Sequence, residues 1–417
     1  MAKGRKRKRG GWIEPERVRL TLTDMAYEGH AIARNGEETV FVEYGLPGED
    51  VEVELFKRQG GVAFGRVVEV FTPSPDRIEP ACPYFGMCGG CHWQHVTYER
   101  QLELKQHVVK EQLRRIGKFE SQPVNPTVAA EDPWHYRNHV RLSAGRHGDI
   151  GFVRRGSHRF LPIEHCLIAH PAINDVIEKL QGKAAGLHQV EVRVGANTGD
   201  LMIVQDMRDR EPSMPEPRKT YTDALLGRSF QIAGPSFFQS NTRQAERLAE
   251  LVRERLDLRG DELLLDAYAG VGTFAALFAP YAREVIGIEE SPAAVADARV
   301  NLADLPNVRY LAGKVEDVLP GLDVQPDAVI LDPSRVGCHP DVITAILRMA
   351  PQKLVYVSCD PSTLARDLRL LADGGYELLD VTPLDMFPQT YHIESVSTLH
   401  WHGGDSSEEH PASTRRL

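Results

Sequence analysis

The amino-acid sequence predicts an α/β protein in which a doubly wound parallel sheet follows an OB-like β-barrel and a second β-rich region. Strands and helices alternate throughout residues 235–401, which is the pattern of a parallel sheet covered by helices on both faces. Residues 12–71 instead hold short β-branched and aromatic runs between Gly and Pro turns, as small barrels do. We therefore expect structured regions at residues 12–72, 73–234 and 235–401, and a chain of 417 residues can supply a core to each.

Composition narrows the class of protein. No run of about 18 apolar residues is present, so we expect no membrane-spanning helix, and no apolar stretch follows the amino-terminal Lys/Arg cluster as a secretory signal requires. We expect a cytoplasmic monomer without membrane contacts. Six cysteines in such a chain indicate metal binding or catalysis before disulfide bonds.

Basic residues are concentrated in two places although the net charge is −10. Residues 1–11 form a basic arm that we predict to be disordered. Residues 135–159 hold many arginines against a single acid, with aromatic side chains interleaved. Arginine beside aromatic rings suits phosphate contact and base stacking, so this stretch predicts an RNA-binding surface, although a solvated sheet face has a similar composition.

The amino-terminal barrel is predicted from strands at residues 18–22, 39–42, 51–56 and 64–70. OB-like barrels commonly bind oligonucleotides, so RNA binding by this region is an expectation from analogy of fold. Residues 72–75, Thr-Pro-Ser-Pro, are typical of a linker.

A cluster of cysteines follows the linker. Cys82, Cys88 and Cys91 lie close together with glycines between them, which let the backbone wrap tightly around a ligand. Thiolate sites mostly need four ligands, and Cys166 is the candidate fourth. Zinc and a four-iron cluster both fit four thiolates, and His92 or His95 could replace a thiolate in a zinc site. The glycine-rich loops beside the short C-x2-C pair favour an iron–sulfur cluster, whereas the spacing alone is compatible with either group. A fourth thiolate would close a cluster to substrate, so we expect a structural role.

The rest of the central region is predicted to be β-rich, after a single helix. Residues 97–117 show helical periodicity, and strands are expected at 140–143, 150–153, 190–194 and 201–204. This region would carry both the cysteine site and the arginine-rich surface.

In the carboxyl-terminal region, Asn241 is predicted to cap a helix whose apolar residues share one face. Residues 376–382 and 393–401 are expected to pair antiparallel at the edge of the sheet, and residues 402–417 to form a disordered tail. The predicted parallel strands are residues 262–266, 285–289, 308–311, 328–332 and 354–358, and the helices between them are residues 273–279, 292–302, 342–350 and 364–372.

A glycine-containing turn after the first strand predicts a nucleoside site. Residues 266–273 read D-A-Y-A-G-V-G-T, and Glu289 ends the next strand, where an acid binds the two ribose hydroxyls. The third glycine of a dinucleotide fold is missing, which favours a mononucleoside without phosphate and points to S-adenosylmethionine. Glu289 could otherwise be an exposed acid and Tyr268 a packed aromatic. Asp332, after the fourth strand, and Gln239, ahead of the sheet, are further candidates for cofactor contacts.

The fifth strand ends at Ser358-Cys359-Asp360, and Pro361 opens a helix. Cys359 is therefore predicted to lie at the carboxyl edge of the sheet, where ligands bind, and beside a helix N-terminus whose dipole favours a thiolate. A small buried cysteine that only packs is the alternative, but its polar neighbours favour function.

Taken together, these residues resemble the RNA uracil-C5 methyltransferases that form 5-methyluridine with S-adenosylmethionine, over nearly the whole chain. The closest resemblance is to their iron–sulfur branch acting on 23S ribosomal RNA. It implies a TRAM domain at residues 12–72 and a class I (Rossmann-like) methyltransferase domain at residues 235–401. It also implies that the cluster is a 4Fe–4S cluster whose ligands are Cys82, Cys88, Cys91 and Cys166.

The resemblance assigns roles to further residues of this sequence. S-C-D-P-S-T-L-A-R-D matches the family's nucleophile motif and implies that Cys359 is the nucleophile. M-F-P-Q-T-Y-H-I-E-S matches the motif that ends in the general base, which implies Glu394, and Phe237 falls where a ring stacks near the target uracil. The residues matching the family's cofactor contacts are Gln239, Tyr268, Glu289 and Asp332.

Three positions depart from the family pattern. Asp360 replaces the usual Asn after the nucleophile, Ser334 replaces a proline, and Lys314 stands where an Asp or Asn often meets the adenine.

The chemistry fits these assignments, and rival functions differ in what they require. A thiolate that adds to C6 of uracil makes C5 reactive toward a methyl group, and a carboxylate then removes the C5 proton. A transfer-RNA substrate is the nearest alternative. An RNA cytosine-C5 methyltransferase would carry a second catalytic cysteine, for which only Cys338 is near, and a non-catalytic RNA-binding assembly factor would need neither Cys359 nor Glu394.

Overall fold

The computed structural model describes residues 11–121 and 123–403. Most of the predicted basic arm (1–11) and of the predicted tail (402–417) lies outside the described residues. No helix in the described part of the chain is long and apolar enough to cross a membrane.

The amino-terminal strands close into a barrel, as the sequence predicts. Their order is β1-β2-β3-β5-β4, with β3 and β5 parallel and the other neighbours antiparallel. Alternate residues point inward, for example Val51, Val53 and Leu55. The five strands are β1 (Gly11–Met25), β2 (Ala31–Asn35), β3 (Glu38–Glu43), β4 (Asp50–Gln59) and β5 (Val62–Thr72).

One helix, α1 (Tyr98–Arg115), follows the barrel in the chain. Leu104, Val108, Val109 and Leu113 on its buried face belong to one continuous core with barrel and carboxyl-terminal sheet residues. The helix that sequence periodicity predicts in the central region therefore packs between the other two units.

The central region forms a five-stranded sheet of order β10-β9-β6-β7-β8 with its own apolar core. The predicted strands are all present, but the short β8 and the helix α2, which packs on the sheet, were not predicted. These elements are β6 (His139–Ala144), β7 (Ile150–Val153), β8 (Phe160–Pro162), α2 (Pro171–Leu180), β9 (Gln189–Val194) and β10 (Leu201–Ile203).

A hairpin of β11 (Thr220–Leu225) and β12 (Arg228–Ala233) connects the central sheet to the last region. Its buried residues Tyr221, Phe230 and Ile232 share a core with the large carboxyl-terminal sheet rather than with the central one.

The carboxyl-terminal region is a doubly wound sheet of order β15-β14-β13-β16-β17-β19-β18. The first five strands in that order are parallel, and β19 and β18 are antiparallel at one side, as predicted. The strands are β13 (Leu263–Ala267), β14 (Glu284–Glu289), β15 (Val308–Ala312), β16 (Ala328–Leu331), β17 (Lys353–Ser358), β18 (Tyr376–Leu384) and β19 (Glu394–Trp401). The helices are α3 (Thr242–Leu256), α4 (Thr273–Phe278), α5 (Pro292–Asn301), α6 (Val315–Val318), α7 (Pro340–Met349) and α8 (Pro361–Asp373).

Candidate active site

The carboxyl edge of the seven-stranded sheet collects most of the polar residues singled out from the sequence. Asp266 lies near the end of β13, Glu289 ends β14 and Asp332 directly follows β16. Cys359 directly follows β17. Strand order reverses between β13 and β16, and ligands of doubly wound sheets bind at such a switch point.

The glycine-containing turn is tied to Glu289. One carboxylate oxygen accepts the Gly270 N–H at 2.9 Å, and the other accepts the Ser291 N–H at 2.7 Å. Each carboxylate oxygen has a second lone pair, so a hydroxyl could still donate to it. Gly272 has a φ of +83°, and a Cβ there would lie 3.0 Å from the Leu302 side chain, so the turn requires glycine.

The buried carboxyl groups of Asp266 and Asp332 at this edge could be stabilised by a cation. The Oδ2 atom of buried Asp266 accepts the Ala275 N–H at 3.0 Å, whereas its Oδ1 has no hydrogen-bond partner among the described residues. Burial, together with the charge of Asp332, raises the pKa of Asp266 to about 7. Burial raises the pKa of Asp332 to about 7 as well. A positively charged ligand would stabilise both carboxylates and occupy the unpartnered oxygen.

The loop that carries Cys359 is held rigidly by its neighbours. The Ser358 hydroxyl donates to the Asp360 carbonyl and accepts the Asp360 N–H, both at 3.1 Å, so the backbone around the thiol is closed into a tight turn. Asp360 is the N-cap of α8, and its Oδ1 accepts the N–H groups of Ser362 at 2.9 Å and Thr363 at 3.1 Å.

The ladder between β17 and β19 ends beside Cys359 and Glu394. Ser358 pairs with Ser395 across the antiparallel strands β17 and β19. Cys359 directly follows Ser358 and Glu394 directly precedes Ser395, so both residues adjoin this last pair, and the charge of Glu394 acts on the Cys359 thiol. Glu394 is buried, not exposed at a sheet edge.

The electrostatics of this pair correct one prediction. We expected the helix N-terminus to favour the Cys359 thiolate, but burial and the charge of Glu394 outweigh it and raise the pKa of Cys359 to about 12. Burial and Asp332 also hold the pKa of the Glu394 carboxyl well above its usual range. The Cys359 thiol is therefore protonated at neutral pH, and the Glu394 carboxyl takes up a proton more readily than an exposed carboxyl does.

Arg335 is a site residue that we did not single out from the sequence. Its guanidinium hydrogen-bonds to Cys359 and opposes the rise in the pKa of this thiol, and it also lowers the pKa of Glu394. The Arg335 carbonyl accepts the Thr363 hydroxyl at 3.2 Å, which ties the loop after β16 to the start of α8. The available signal was its position, three residues after Asp332.

The segment that leads into Glu394 is held by buried polar residues of α1. The Gln101 side chain accepts the Gln389 N–H and donates to the Gln389 side-chain oxygen, both at 3.0 Å. Lys105 forms a fully buried ion pair with Asp385. The Gln389 carbonyl in turn accepts the N–H groups of His92 and Trp93, at 2.9 and 3.0 Å, directly after the cysteine cluster.

The loop between β12 and α3 carries two more predicted site residues. Phe237 is 72% exposed, so its ring is free to stack on a ligand. Gln239 is partly buried, and its carbonyl accepts the Asn138 side-chain N–H at 3.0 Å, which anchors the loop on the central region.

A cavity of about 830 Å³ brings together the four predicted cluster ligands. Its lining includes Cys82, Cys88, Cys91 and Cys166 together with Phe237, but neither His92 nor His95. All four cysteines are free. No three His, Cys, Asp or Glu side chains of the described residues already converge on a point that would hold a metal ion, so the cluster stays a prediction.

The environment of these thiols suits a cationic group. Burial raises the pKa of Cys88 and of Cys166, and raises that of Cys91 to about 12. The Gly90 N–H lies 3.4 Å from the Cys88 sulfur, a contact that stabilises thiolate ligands. The Asn174 side chain holds the backbone of Cys166. Its Oδ1 accepts the Cys166 N–H at 2.9 Å, and its Nδ2–H donates to the Cys166 carbonyl at 3.1 Å.

The arginine-rich surface differs in part from its prediction. Arg141 and Arg155 are paired with Glu191 and Glu43, both at 3.1 Å, which partly neutralises them. Tyr136 is buried, with its hydroxyl donating to the Pro388 carbonyl at 3.0 Å, so it is not available for base stacking. The exposed arginines of this stretch are Arg141, Arg146, Arg154 and Arg159, of which Arg141 is in the ion pair with Glu191.

A doubly wound sheet with a glycine turn, an acid after β14 and buried carboxyl groups at its carboxyl edge defines the class: a class I, S-adenosylmethionine-dependent methyltransferase. Two family models match this chain, one described as the TRAM domain over residues 14–68 and one as tRNA (Uracil-5-)-methyltransferase over residues 314–401.

Relatives cover nearly the whole chain. An uncharacterised RNA methyltransferase of Halalkalibacterium halodurans is 36% identical, over 92% of this chain and 96% of the relative. Another from Synechocystis is 35% identical, over 93% and 96%. A solved structure, the Pyrococcus abyssi tRNA (uracil-54, C5)-methyltransferase in complex with S-adenosyl-L-homocysteine, is 26% identical with a TM-score of 0.72, over 92% of this chain and 100% of its own. The chain belongs to the RNA uracil-C5 methyltransferase family, whose enzymes take the methyl group from S-adenosylmethionine.

Proposed function

We propose that this enzyme methylates C5 of one particular uridine in 23S ribosomal RNA through a covalent adduct on Cys359. The observation that carries the proposal is that Cys359 and Glu394 both adjoin the last pair of the β17–β19 ladder, at the carboxyl edge of the sheet, and that the charge of Glu394 acts on the thiol. The barrel and the four clustered cysteines favour the ribosomal-RNA branch.

Cys359 is the proposed nucleophile. Its thiolate forms a bond to C6 of the uracil, the ring electrons move to O4, and C5 becomes nucleophilic. S-adenosylmethionine supplies the electrophilic methyl group that C5 takes. Arg335 supports the step because a guanidinium beside the sulfur stabilises the thiolate.

Glu394 is the proposed general base. After methylation C5 carries both a methyl group and a proton, and the Glu394 carboxylate removes that proton. The electrons of the C5–H bond re-form the C5–C6 double bond, and the Cys359 sulfur leaves C6. The buried position of Glu394 excludes water, so its raised pKa makes it a strong base once it is ionised.

The proposed cofactor contacts surround the switch point of the sheet. Glu289 would bind the ribose hydroxyls, Asp332 would face the positively charged sulfur, and Tyr268 would line the pocket after β13. Gln239 would reach the cofactor from the loop ahead of α3. Support comes from the Asp266 oxygen that has no hydrogen-bond partner among the described residues and from the raised pKa values of Asp266 and Asp332. A cation beside these groups would lower both pKa values.

Phe237 is the proposed stacking partner of the flipped target uracil. A base inside folded RNA must leave its stack, at a cost of a few kcal/mol that an aromatic ring and phosphate contacts offset. The exposure of Phe237 leaves its ring available, and the barrel with the exposed arginines of the central sheet would contact the surrounding RNA.

We also propose that Cys82, Cys88, Cys91 and Cys166 bind a 4Fe–4S cluster that stabilises the central region. The support is that all four free thiols line one cavity, which the candidate histidines do not reach. Iron and acid-labile sulfide, measured on protein purified without oxygen, should approach four of each per chain. Zinc without iron would support the alternative metal.

The division of the chain follows from these roles. We assign residues 1–11 to a basic arm, 12–72 to the TRAM domain, 73–234 to the central region with the cluster, 235–401 to the methyltransferase domain and 402–417 to a tail. Free thiols and an RNA substrate are consistent with a cytoplasmic monomer.

Transfer RNA is the second candidate substrate, because the Pyrococcus abyssi structure covers the whole architecture of this chain. Labelled S-adenosylmethionine should be tested with separated, unmodified 23S ribosomal RNA and transfer RNA, followed by nucleoside analysis. We expect label in 5-methyluridine of 23S ribosomal RNA and none with Cys359→Ala, which should still bind the cofactor.

Other outcomes of this assay separate the rivals. Label in transfer RNA alone would change the substrate, and label in 5-methylcytidine would make the enzyme a cytosine methyltransferase. We favour uracil because Cys338, the candidate second cysteine, is packed in the apolar core. Cofactor binding without transfer to either RNA would support an assembly factor.

A further inference from the structure

The amino-terminal barrel reaches the active site through one short turn. Residues Tyr27–Gly29 form a single helical turn between β1 and β2. The Tyr27 hydroxyl donates to Oδ2 of Asp360 at 2.8 Å, across 333 residues of sequence. Asp360 is the residue directly after Cys359, so the barrel contacts the loop of the proposed nucleophile.

Close packing fixes the position of this turn. A Cβ at Gly29 would lie 2.9 Å from the Cβ of Tyr391 and 3.0 Å from the indole nitrogen of Trp93, so only glycine fits. The Tyr27 ring packs edge-on against Tyr391 with 6.4 Å between ring centroids. Tyr391 lies three residues before Glu394, so the turn contacts both segments that carry the proposed catalytic residues.

The two carboxylate oxygens of Asp360 accept hydrogen bonds from different parts of the molecule. Its Oδ1 caps α8 by accepting the N–H groups of Ser362 and Thr363, and its Oδ2 accepts the Tyr27 hydroxyl. The Asp360 backbone is closed onto Ser358 by reciprocal hydrogen bonds. The Asp360 side chain is held both by Tyr27 and by the start of α8, and its backbone is held by Ser358. Cys359, which lies between Ser358 and Asp360, therefore has little freedom to move.

We propose that Tyr27 is a positioning residue for Cys359, so that correct seating of the RNA-binding barrel is required for the nucleophile to reach C6 of the target base. The barrel then acts in the chemical step and not only in holding RNA. This inference rests on the proposed role of Cys359. The inference also assigns a role to Asp360, which stands where the family usually has Asn.

The test compares two tyrosine variants. Tyr27→Phe keeps the ring against Tyr391 and removes only the hydroxyl. Tyr376→Phe is the matched control, because its hydroxyl also donates a single hydrogen bond, to the Pro351 carbonyl at 3.0 Å, at the far end of the sheet. The substrate RNA is transcribed with 5-fluorouridine, which lacks the C5 proton and traps the covalent adduct, and the rate of adduct formation is measured at saturating RNA.

We expect Tyr27→Phe to form the adduct about tenfold more slowly than the wild type, since a hydrogen bond to a charged group is lost, with RNA affinity unchanged. Tyr376→Phe should react at the wild-type rate. In an Asp360→Ala background, Tyr27→Phe should cause no further loss, because the partner is already absent. Asp360→Asn can keep the cap through its Oδ1, and its side-chain N–H can donate to the Tyr27 hydroxyl, so this variant should retain most of the rate.

Two results would overturn the inference without touching the proposed function. One is a wild-type adduct rate in Tyr27→Phe while Cys359→Ala forms none. The other is weaker RNA binding in Tyr27→Phe with an unchanged rate at saturation, which would make Tyr27 an RNA contact. Adduct formation by Cys359→Ala would instead refute the nucleophile itself, and the positioning role with it.

Discussion

Cys359 and Glu394 share a water-poor space in which neither ionises easily. The pKa of the thiol is raised to about 12 and that of the carboxyl well above its usual range, each partly by other acids. Among the described residues, Arg335 lowers both pKa values. The proposed mechanism uses the thiolate first and the carboxylate later, so the two groups need not be charged together.

The first prediction concerns the pH dependence of adduct formation. Because the thiolate is the reactive form and its pKa lies above neutral, the rate at saturating RNA should rise by about tenfold per unit between about pH 6 and pH 9. Arg335→Gln should lower the rate at every pH in this range, since the cation that stabilises the thiolate is gone. Arg335→Lys keeps a positive charge and should lose less.

A plateau near neutral pH in the wild type would contradict a raised thiol pKa in the complex. An unchanged profile in Arg335→Gln would show that this guanidinium does not act on the sulfur.

The second prediction separates the base from the nucleophile. Glu394→Gln is nearly isosteric but cannot accept the C5 proton, so the methylated adduct should form and persist, and turnover should fall by more than about 100-fold. The measurement is gel mobility of the protein–RNA adduct on unmodified substrate. Full turnover without any accumulating adduct would remove Glu394 from the mechanism.

The third prediction uses the raised pKa values of Asp266 and Asp332. Both carboxyl groups are about half protonated near pH 7 in the empty site, and a sulfonium favours their charged forms and so lowers both pKa values. Binding should therefore release protons, and affinity for S-adenosylmethionine should increase from about pH 5 to about pH 7 and then level off.

S-adenosylhomocysteine is the matched control because its sulfur is neutral. Calorimetry in buffers of different ionisation enthalpy should show fewer protons released and a shallower pH dependence for this ligand. Equal proton release by both ligands would mean that the sulfur does not face these acids.

At the scale of elements, local patterns predicted every strand of the large sheet and the helix α1. Those runs are long or strongly apolar, so burial shows in the sequence itself. β8 has three residues and was not predicted, since so short a run carries no periodicity. The hairpin β11–β12 was not predicted either, and no local pattern could show that its buried face packs on another region's core.

Some residues of the candidate site could be predicted from the sequence and others could not. Cys359, Glu289 and Asp332 could be predicted because strand ends are visible in sequence and parallel strands share an edge. The contact between Tyr27 and Asp360 could not, because it joins residues that only the folded chain brings together. Gln101 had no signal either, since a polar residue in a helix is usually exposed.

The fourth prediction concerns the ion pair between α1 and the segment before Glu394. Lys105 and Asp385 are both fully buried, and Oδ2 of Asp385 has no other partner among the described residues. Lys105→Met would leave a buried, unpaired carboxylate and should lower the free energy of unfolding by about 3–5 kcal/mol. The double variant Lys105→Met with Asp385→Leu should recover most of that loss, because no unpaired charge remains.

Denaturant unfolding measures both variants. A loss in Lys105→Met that the double variant does not recover would mean that shape, rather than charge, makes this position important.

At the scale of the molecule, the barrel and the central sheet differ in how they pack against the carboxyl-terminal sheet. The barrel, α1 and one face of the large sheet form one continuous apolar core, whereas the central sheet has a core of its own. The barrel is therefore built into the catalytic unit, which is consistent with its contact at Asp360. The central sheet, which carries the arginine-rich surface, contacts the rest of the molecule through the hairpin β11–β12, through Met202 of β10 and through loops.

The last prediction follows from this difference. Leu55→Ala in the barrel and Leu142→Ala in the central sheet each remove a fully buried leucine, at a cost of about 2–5 kcal/mol. Because Leu55 belongs to the shared core, its loss should reduce amide-exchange protection in the barrel and in α1 together. Leu142→Ala should reduce protection first within the central sheet. If Leu55→Ala loosened the barrel while α1 kept full protection, the barrel would be an independent folding unit, and a rigid connection from it to the nucleophile could not be maintained.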